Sequence, residues 1–495
     1  MQSYIIGIDL GTGSAKAIAM DHSGEILKTA HVAYPTLQPQ PEFSEQAPEL
    51  IWQAFVKCIS RITYRMSGPP EAVCLSSAMH SVIPLDKNGN PLMNMMTWAD
   101  NRSASVATAI HQSPAARSIY EQSGTPIHAM TPLCKILWLQ QNEAKMFEQT
   151  AKFISIKEYV WLQLFKKFEV DYSIASATGL MNIHTLGWND ESLRTAGIKP
   201  EQLSVLVNTN HHRNCADGAL CAQLGVARET PFYIGASDGC LANLGSFATQ
   251  EGFMALTIGT SGAVRMTSRK PMLNFKAMTF NYLLDQSTYV CGGPINNGGG
   301  ALKWYAESLL GRKLESPGDY SALLDALNKT DPGAEGLIFL PYILGERAPI
   351  WNSHASGMFF GIRDHHHQAH FTRAVIEGIS TSLYDIAHNM IESGLDIHQL
   401  HVSGGFVHSE EWMQLLADLF GKKVCLINTE DASAIGAVYL AMKDLGFFEE
   451  IKPKEIREFI PDADKVTAYR KLFLRYKETY EHVASLMVPR SRTSH

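Results

Sequence analysis

The run that follows Tyr4 carries residue types that bind phosphate and a metal ion. An apolar, β-branched stretch ends at Asp9, and Gly11–Ser14 (GTGS) comes next. Glycines let backbone N–H groups approach an anion closely, and the threonine and serine hydroxyls add donors. A carboxylate so near a phosphate makes sense if Mg²⁺, or water on Mg²⁺, lies between them. The run predicts a phosphate-binding turn, although ligand-free glycine turns are also common after buried strands.

A second glycine–threonine turn lies about half the chain further on. Gly252–Gly262 reads GFMALTIGTSG, an apolar strand that runs into Gly259 and Thr260. Each turn is followed by further strand-like segments and then by an amphipathic or apolar helix, from Pro48 in the first half and over 301–310 in the second. Two such turns on two lobes could hold one polyphosphate, so the repeat favours nucleotide binding.

The segment 232–239 offers either a nucleophile or a base. It is an apolar strand that ends in Gly235-Ala236-Ser237-Asp238-Gly239. Gly-x-Ser-x-Gly is the nucleophile-elbow pattern of α/β-hydrolases, with Ser237 as the attacking group. The alternative is that Asp238 is a general base at the end of the strand. The hydrolase interpretation leaves both glycine–threonine turns unexplained, so we favour Asp238.

One further segment is typical of a polyol or sugar site, and another stands at the end of a predicted strand. A tryptophan, an aspartate and an arginine alternate in Trp98-Ala99-Asp100-Asn101-Arg102, where an indole ring suits C–H faces and charged groups suit hydroxyls. Met79 and His80 stand at the end of the strand-like segment 72–78. A helix N-cap before 103–111 explains the first segment equally well.

Length, charge and hydropathy limit the class of protein. A chain of 495 residues exceeds one hydrophobic core and predicts two large lobes, with the boundary at residues 246 and 247. The net charge of −7, without a basic block, argues against nucleic acid as a partner. No leader-like start and no apolar run of membrane-spanning length are present, so we expect a soluble cytoplasmic protein. The eight cysteines include no C-x-x-C pair and are expected to be reduced, mostly buried thiols.

Two longer motifs carry a family resemblance. Residues 130–139 (MTPLCKILWL), and the segment that starts at Gly357 and closes with His370–Glu377, resemble the two signatures of the FGGY carbohydrate kinases, a branch of the actin/hexokinase/Hsp70-like ATPases. The resemblance runs from about Tyr4 to Leu445. It implies an α/β fold of two actin-like (ribonuclease H-like) lobes with a nucleotide cleft between them. Residues 1–246 would carry the sugar site, the first phosphate segment and the base, and residues 247–495 the second phosphate segment, the adenosine site, and a C-terminal helix and tail.

The resemblance also implies roles for individual residues. Asp238 is the expected catalytic base, Asp9 the expected Mg²⁺ ligand, and Lys16 stands where glycerol kinases have arginine. The expected ATP contacts are Gly11, Thr12, Gly13, Ser14, Lys16, Gly259, Thr260, Gly299, Gly300, Gly404, Gly405 and Phe406. The expected substrate contacts are Met79, His80, Asp100, Arg102, Lys157, Asp238 and Gly239.

Within this family the chain is most similar to bacterial gluconate kinases, through residues 76–82, 97–103, 124–128, 156–159 and 235–239. The implied reaction is the transfer of phosphate from ATP, with Mg²⁺, to D-gluconate. Xylulose kinases share the Met-His and Trp-x-Asp-x-Arg patterns and are the alternative. A serine hydrolase at Ser237 and a non-catalytic nucleotide-dependent binding protein of actin or Hsp70 type are rivals from other classes. The expected partners are a sugar acid and ATP, without nucleic acid or membrane, and a homodimer is one expected assembly.

Overall fold

The computed structural model describes residues 3–215, 217–404, 409–427, 431–447 and 455–487. The chain divides into two compact units. Unit 1 comprises Met1–Phe247, Ser268–Cys291 and Asp431–Pro453, and unit 2 comprises Ala248–Thr267, Gly292–Glu430 and Lys454–His495. The first division lies beside the predicted boundary, and the chain then returns twice to unit 1. The division of functions between residues 1–246 and 247–495 stays a prediction.

Both units are built on β-sheets. The strands are β1 (Ile5–Leu10), β2 (Ser14–Met20), β3 (Ile26–Ala33), β4 (Glu45–Gln46), β5 (Ala72–Ser77), β6 (Ile83–Leu85), β7 (Met95–Met96), β8 (Lys152–Ile154), β9 (Glu169–Asp171), β10 (Met181–Asn182), β11 (Gly187–Trp188), β12 (Val205–Val207), β13 (His212–Asn214), β14 (Pro231–Ser237), β15 (Phe253–Ile258), β16 (Gly262–Ser268), β17 (Phe280–Asp285), β18 (Thr288–Ile295), β19 (Ile338–Leu340), β20 (Met358–Phe360), β21 (Gln399–Ser403), β22 (Lys423–Ile427) and β23 (Glu455–Phe459).

Helices cover the sheets. They are α1 (Pro48–Thr63), α2 (Ala104–Gln112), α3 (Ala116–Ser123), α4 (Pro132–Asn142), α5 (Ala144–Gln149), α6 (Ile156–Phe165), α7 (Tyr172–Ser176), α8 (Asp190–Ala196), α9 (Gly218–Leu224), α10 (Asp238–Gly245), α11 (Gly299–Trp304), α12 (Pro317–Leu324), α13 (Gln368–Glu392), α14 (Glu410–Phe420), α15 (Ala432–Leu445) and α16 (Ala463–Val483).

The main sheet of unit 1 has the order β13-β14-β5-β1-β2-β3. β1, β2 and β3 form an antiparallel meander, while β5 and β14 run parallel to β1. Because side chains alternate along a strand, Ile6 and Ile8 of β1 face one side of the sheet and Ile5 faces the other. Ile6 and Ile8 pack in the core with the apolar stripe of α1, as the periodicity from Pro48 predicts.

Three glycines let α15 lie against β1 and α10, within unit 1, at backbone distance. A Cβ on Gly7 of β1 would stand 2.1 Å from the Ala434 carbonyl oxygen. A Cβ on Gly436 would stand 1.9 Å from the Leu241 oxygen of α10, and one on Gly245 would stand 2.1 Å from the Ala432 oxygen. No side chain fits at such distances, so these positions accept only glycine. The small residues at the start of α15 predict this close approach, and the structure confirms it.

Unit 2 repeats the strand order of unit 1. Its sheet runs β18-β16-β15-β21-β22-β23, with β18 entering unit 2 at Gly292. β15 is antiparallel to β16 and parallel to β21, as β1 is to β2 and β5. β22 then continues parallel and β23 antiparallel, which matches β14 and β13. The predicted α/β fold with two related halves, each opening on a turn after its first strand, is confirmed.

The second signature motif builds the interior of unit 2. Glu377 of α13 accepts hydrogen bonds from the Gly333 N–H (2.9 Å) and from Arg373 Nη1 (3.0 Å). Arg373 Nε also donates to the Thr330 hydroxyl at 2.8 Å. Arg373 and Glu377 are both buried. This motif therefore anchors the loop around residues 330–333. Arg373 and Glu377, its charged residues, serve to hold that loop.

The cysteine prediction is partly wrong. Cys215 and Cys221, which are six positions apart, form a disulfide. The other six cysteines are free and buried, as expected. A rule based on C-x-x-C spacing misses this bridge, because the two cysteines are six positions apart.

Within the described ranges, no helix has both the length and the apolar character that crossing a membrane requires. The same part of the chain contains no cluster of three or more histidine, cysteine or acidic side chains arranged to hold a metal ion. His365, which the sequence places in a run of three histidines, lies 3.1 Å from Glu335 through its Nε2 atom.

Candidate active site

The first glycine–threonine turn is a rigid hairpin between β1 and β2. The Gly11 N–H donates to the Ser14 carbonyl at 3.0 Å and closes the turn. Tyr34 supports it from β3's end, since its N–H donates to the Gly13 carbonyl (3.0 Å) and its hydroxyl to the Gly11 carbonyl (2.5 Å). Thr12 and Gly13 are exposed at the tip. The hairpin thus exposes its tip residues to solvent, while its Gly11 and Gly13 carbonyl groups accept hydrogen bonds from Tyr34.

Asp9 stands at the end of β1 beside this hairpin. Its Oδ1 accepts a 2.7 Å hydrogen bond from the Ser76 hydroxyl of β5. Burial, and then repulsion from the Asp238 carboxylate, raise the pKa of Asp9 to about 7, while Ser76 and Lys16 act in the opposite direction. Two neighbouring carboxylates that repel each other are a donor set whose repulsion a hard divalent cation would relieve, so these residues fit Mg²⁺.

A β-bulge in β14 lies shortly before Asp238. The pairing of β14 with β5 shifts between Tyr233 and Ala236, and Gly235 at this bulge has φ +67°. A Cβ on Gly235 would lie 1.8 Å from the Leu75 carbonyl oxygen, so the bulge requires glycine. Asp238 is the first residue of α10, where the helix dipole favours a negative charge. The Gly239 N–H donates to its Oδ1 at 2.7 Å.

Ser237 has no role as a nucleophile. Its side chain is fully buried, and the Ser173 hydroxyl donates to its Oγ at 2.9 Å. The same oxygen caps α10 by accepting from the Cys240 N–H. A nucleophile elbow must present its serine to a substrate, whereas this serine is a buried helix cap. The hydrolase alternative is therefore excluded.

A residue that the sequence argument missed completes the surroundings of Asp9. Asp431 precedes α15, and its Oδ1 lies 2.9 Å from Lys16 Nζ. The Lys16 side chain is 46% exposed and that of Asp431 is 28% exposed. Asp431 also contributes to the raised pKa of Asp9. The one signal for it in the sequence is an acidic residue directly before a helix that opens with small residues.

A pocket brings the hairpin and part of the predicted sugar site together. Gly11 and Thr12 form one wall, and Met79, Ser81 and Trp98 contribute to the rest. The indole Nε1–H of Trp98 donates to the Thr12 hydroxyl oxygen at 2.8 Å. Since Thr12 Oγ1 accepts this bond, its own proton can point towards a ligand. The pocket joins a predicted phosphate contact to predicted sugar contacts within unit 1.

His80 is held in a strained conformation next to this pocket. Its φ of +66° is in the left-handed region, which is unfavourable for a non-glycine residue. Its Nδ1 lies 2.8 Å from the Ala177 carbonyl oxygen, so Nδ1 carries the proton and donates. Its Nε2 lies 3.4 Å from the Tyr282 hydroxyl. The ring lines a second cavity, whose wall also contains Glu158. Burial raises the pKa of Glu158 to about 7.

The predicted sugar-binding charges are engaged in buried ion pairs. Arg102 donates from Nε and Nη2 to both oxygens of Asp100, each at 2.8 Å, and from Nη2 to Glu45 at 2.6 Å. The arginine also lies over the Phe43 ring, 3.6 Å from its centroid. Asp100 is fully buried and also accepts from the Ser44 N–H at 2.7 Å. In this structure the pair holds the residues around 43–45 against 100–102.

Lys157 is engaged in the same way. Its Nζ lies 2.6 Å from Asp171 Oδ2, and both side chains are essentially inaccessible to solvent. Asp171 also caps α7 through a 2.9 Å bond from the Ile174 N–H. The substrate roles of Arg102, Asp100 and Lys157 stay predictions, and the structure adds that each already has an ionic partner.

In unit 2 the predicted nucleotide residues lie around the second turn. The Gly299 N–H donates to the Gly259 carbonyl at 2.7 Å, and the Gly300 N–H to the Thr260 carbonyl at 3.0 Å. Gly404, with φ +114°, follows β21, and a Cβ there would lie 2.1 Å from the Ile258 carbonyl oxygen. These five glycine and threonine positions therefore meet at one edge of the sheet. Gly405 and Phe406 lie outside the described residues.

Two family models match the chain in succession. The N-terminal domain of the FGGY family of carbohydrate kinases matches residues 4–245, and its C-terminal domain matches residues 254–445. Among curated proteins, a gluconokinase of Bacillus subtilis (strain 168) is 40% identical over 457 residues, which cover 90% of this chain and 88% of that protein. A xylulose kinase of the same strain is 28% identical over 497 residues, covering 98% of each chain.

Solved structures show the same similarity in three dimensions. A gluconate kinase from Lactobacillus acidophilus superposes with a TM-score of 0.93 at 34% identity and covers 98% of both chains. A ligand-bound xylulose kinase from the same organism gives the same TM-score and identity, with 98% of this chain and 99% of that chain covered. Overall structural similarity therefore does not distinguish a gluconate kinase from a xylulose kinase.

Proposed function

Because the chain belongs to the FGGY family of carbohydrate kinases, we propose that it transfers the terminal phosphoryl group of ATP to D-gluconate, giving 6-phosphogluconate and ADP. The observation that carries the choice of substrate is the difference in identity to two proteins of one organism, 40% to the gluconokinase against 28% to the xylulose kinase. We also propose a cytoplasmic location, which agrees with a requirement for ATP as co-substrate.

Asp238 is the proposed general base. Phosphoryl transfer depends on positioning and on charge stabilisation more than on covalent chemistry, so the protein must place the acceptor hydroxyl and remove its proton. Asp238 is partly exposed at the start of α10, on a strand end that the Gly235 bulge redirects. Its carboxylate accepts the proton from the attacking hydroxyl as the new oxygen–phosphorus bond forms.

The first hairpin is the proposed phosphate contact of unit 1. The exposed tip at Thr12 and Gly13 offers backbone N–H groups and a hydroxyl that Trp98 orients, and Lys16 adds a positive charge. Asp9 is the proposed Mg²⁺ ligand, and the ion, when bound, would neutralise charge on the phosphates. The turn at Gly259 and Thr260 in unit 2 is proposed to contact ATP in the same way, with Ser14, Gly299, Gly300, Gly404, Gly405 and Phe406 as further contacts.

The ion pairs change how the gluconate carboxylate is expected to be held. Arg102 and Lys157 are bound to buried acids, and taking either cation from its partner would leave an uncompensated buried charge. We therefore favour neutral donors. Ser81 is one, because its Oγ accepts from the Ile156 N–H at 3.0 Å and its own proton remains to be donated into the pocket. Met79, His80 and Gly239 are the other proposed contacts near the acceptor.

Xylulose is the second candidate acceptor. The solved xylulose kinase matches this fold as closely as the gluconate kinase does, and a pocket with neutral donors suits an uncharged ketose too. Gluconate is a six-carbon chain with a carboxylate at one end, whereas xylulose is an uncharged five-carbon ketose, so charge recognition is one way to separate them.

The test is a coupled ADP-release assay with D-gluconate, D-xylulose and glycerol as acceptors. We expect kcat/KM for gluconate to exceed that for xylulose by at least tenfold. A preference for xylulose would overturn the gluconate proposal and leave the kinase assignment intact. ADP release that is independent of every acceptor would contradict the proposed sugar-kinase reaction itself.

A further inference from the structure

Lys135 is a fully buried lysine in the first signature motif, and none of the roles proposed above uses it. It lies on the first turn of α4, which begins at Pro132. Its Nζ donates to two backbone carbonyl groups, that of His80 at 2.7 Å and that of Thr97 at 2.6 Å. Burying an ammonium group without a direct carboxylate partner is costly, so this arrangement calls for an explanation.

The two carbonyls belong to two segments that both line the pocket. Ser81 directly follows His80 and Trp98 directly follows Thr97, and both Ser81 and Trp98 line the pocket that also contains Gly11 and Thr12. A backbone bridge between Val82 and Met96 already joins the two segments. Lys135 adds a second connection, between the His80 and Thr97 carbonyls.

We propose that Lys135 is a positioning residue that sets the spacing between Ser81 and Trp98 by binding the His80 and Thr97 carbonyls to one ammonium group. The inference rests on the proposed acceptor site. It also accounts for the strained backbone of His80, since the left-handed conformation directs the His80 carbonyl to Lys135 while its ring stays bonded to Ala177.

The charges around Lys135 fit this role. Burial lowers the pKa of Lys135 to about 7, while the nearby Asp100 favours the protonated form and Arg102 opposes it. Cys134 is the other titratable group that contributes. Bonds of 2.6 and 2.7 Å are typical of a charged donor, so the protonated lysine is the form that the geometry describes.

The first measurement needs no substrate. Hydrogen–deuterium exchange is followed in peptides that cover residues 79–82 and 96–99, in wild type, Lys135→Met and Lys152→Met. Lys152 is the matched control, because its Nζ donates to a single backbone carbonyl, that of Leu203, at 2.8 Å. We expect at least tenfold faster exchange in both segments for Lys135→Met and no change there for Lys152→Met. Unchanged exchange in the Lys135 variant overturns the proposal, whatever the substrate is.

The second measurement separates positioning from general destabilisation. With the best acceptor from the panel, Lys135→Met should raise the acceptor KM at least tenfold and leave kcat within about threefold of wild type. The ATP KM should rise by a clearly smaller factor, because Trp98 also contacts Thr12. Lys135→Gln keeps two N–H donors without the charge and should give an intermediate acceptor KM; it also carries the test if the methionine variant does not fold. Equal increases in the KM of ATP and acceptor, or an acceptor KM in both variants within twofold of Lys152→Met, would overturn the proposal.

Discussion

Lys16 and Asp431 form a 2.9 Å ion pair between residues that are 415 positions apart in the chain. The pair joins β2, next to the first glycine–threonine turn, to the residue before α15. Because both side chains are partly exposed, the pair adds little to stability, on the order of 1 kcal/mol or less. Its effect is geometric, since it fixes the position of a cation next to the hairpin tip.

We expect Lys16→Met to raise the ATP KM about tenfold, because the hairpin loses its cation, while the melting temperature stays nearly constant. Asp431→Asn leaves Lys16 in place but removes its carboxylate partner, and it should raise the ATP KM by a smaller factor. Steady-state kinetics at varied ATP test both. Lys329→Met, which breaks an exposed pair with Asp325 in unit 2, is the control. An ATP KM of Lys16→Met equal to that of this control would rule out the phosphate role.

Asp238→Asn should lower kcat by roughly 10²–10⁴-fold, which is the usual contribution of a general base. ATP binding, measured by calorimetry, should change little. Ser237→Ala should keep kcat within a few-fold and lose about 1 kcal/mol of stability, because a buried helix cap is removed. Turnover that survives in Asp238→Asn would leave the reaction without its proposed base.

The raised pKa of Asp9 gives a pH dependence of stability. The native state holds a proton on Asp9 up to about pH 7, whereas the unfolded chain releases it near pH 4. The folded protein therefore binds more protons between these values, and the free energy of unfolding falls as pH rises through this window. Without Mg²⁺, we expect Asp9→Asn to be more stable than wild type at pH 8, on the order of 2 kcal/mol. Denaturant titrations at pH 5 and 8 test this.

Added Mg²⁺ should counteract the loss of wild-type stability at high pH. A cation on the Asp9 carboxylate favours the deprotonated form, so added Mg²⁺ should raise the melting temperature more at pH 8 than at pH 5. The Asp9→Asn variant should lack this difference. An identical Mg²⁺ response in both proteins would place the ion elsewhere.

Gly404→Ala should disturb the second turn. Its Cβ would meet the Ile258 carbonyl oxygen at 2.1 Å, directly before Gly259, so the backbone of the turn must move. We expect an increase in the ATP KM of tenfold or more. Gly394→Ala is the matched control, because Gly394 also has positive φ (+100°) but has no atom within 4 Å of the Cβ position. Both variants should lose stability, and only Gly404→Ala should lose ATP affinity.

Arg102→Met should destabilise unit 1 before it alters substrate choice. Removing the guanidinium leaves Asp100 buried without its cation, which typically costs about 3–5 kcal/mol. The measurement is the denaturant midpoint, compared with Arg117→Met, which breaks an exposed pair with Glu121. A stable Arg102→Met protein with a selectively raised gluconate KM would instead indicate that Arg102 binds the gluconate carboxylate.

Local pattern was enough to predict the main sheet elements and both turns. The strand before Asp9, the hairpin at Gly11 and the apolar stripe of α1 depend on neighbouring residues, so their signals are contained in short windows. The equivalent turn at Gly259 was found because the same pattern recurs. Glycine runs such as Gly298–Gly300 were also found, although their contact with the Gly259 and Thr260 carbonyls depends on packing that a short window does not contain.

Long-range pairing could not be predicted. In the sequence Arg102 is a cation that could bind a substrate. One of the groups that it contacts, Glu45, lies 57 positions away. Lys157 and Asp171 are on different elements, and neither residue type alone reveals the pair. The same limit hid Asp431 and the two carbonyl partners of Lys135. In each case the sequence shows a charged residue but not the distant group that it contacts.

The position of α15 has a consequence for how the protein is made. β1 leaves the ribosome more than 400 residues before α15, the helix that lies against its Gly7. One face of the first sheet therefore stays uncovered during most of translation. A fragment ending at residue 247 would contain the hairpin, Asp9 and Asp238, and would still expose the apolar surface that Ala434, Ala437 and Val438 normally cover. Dissecting this enzyme into independent halves should thus require a circularly permuted gene that places α15 beside β1.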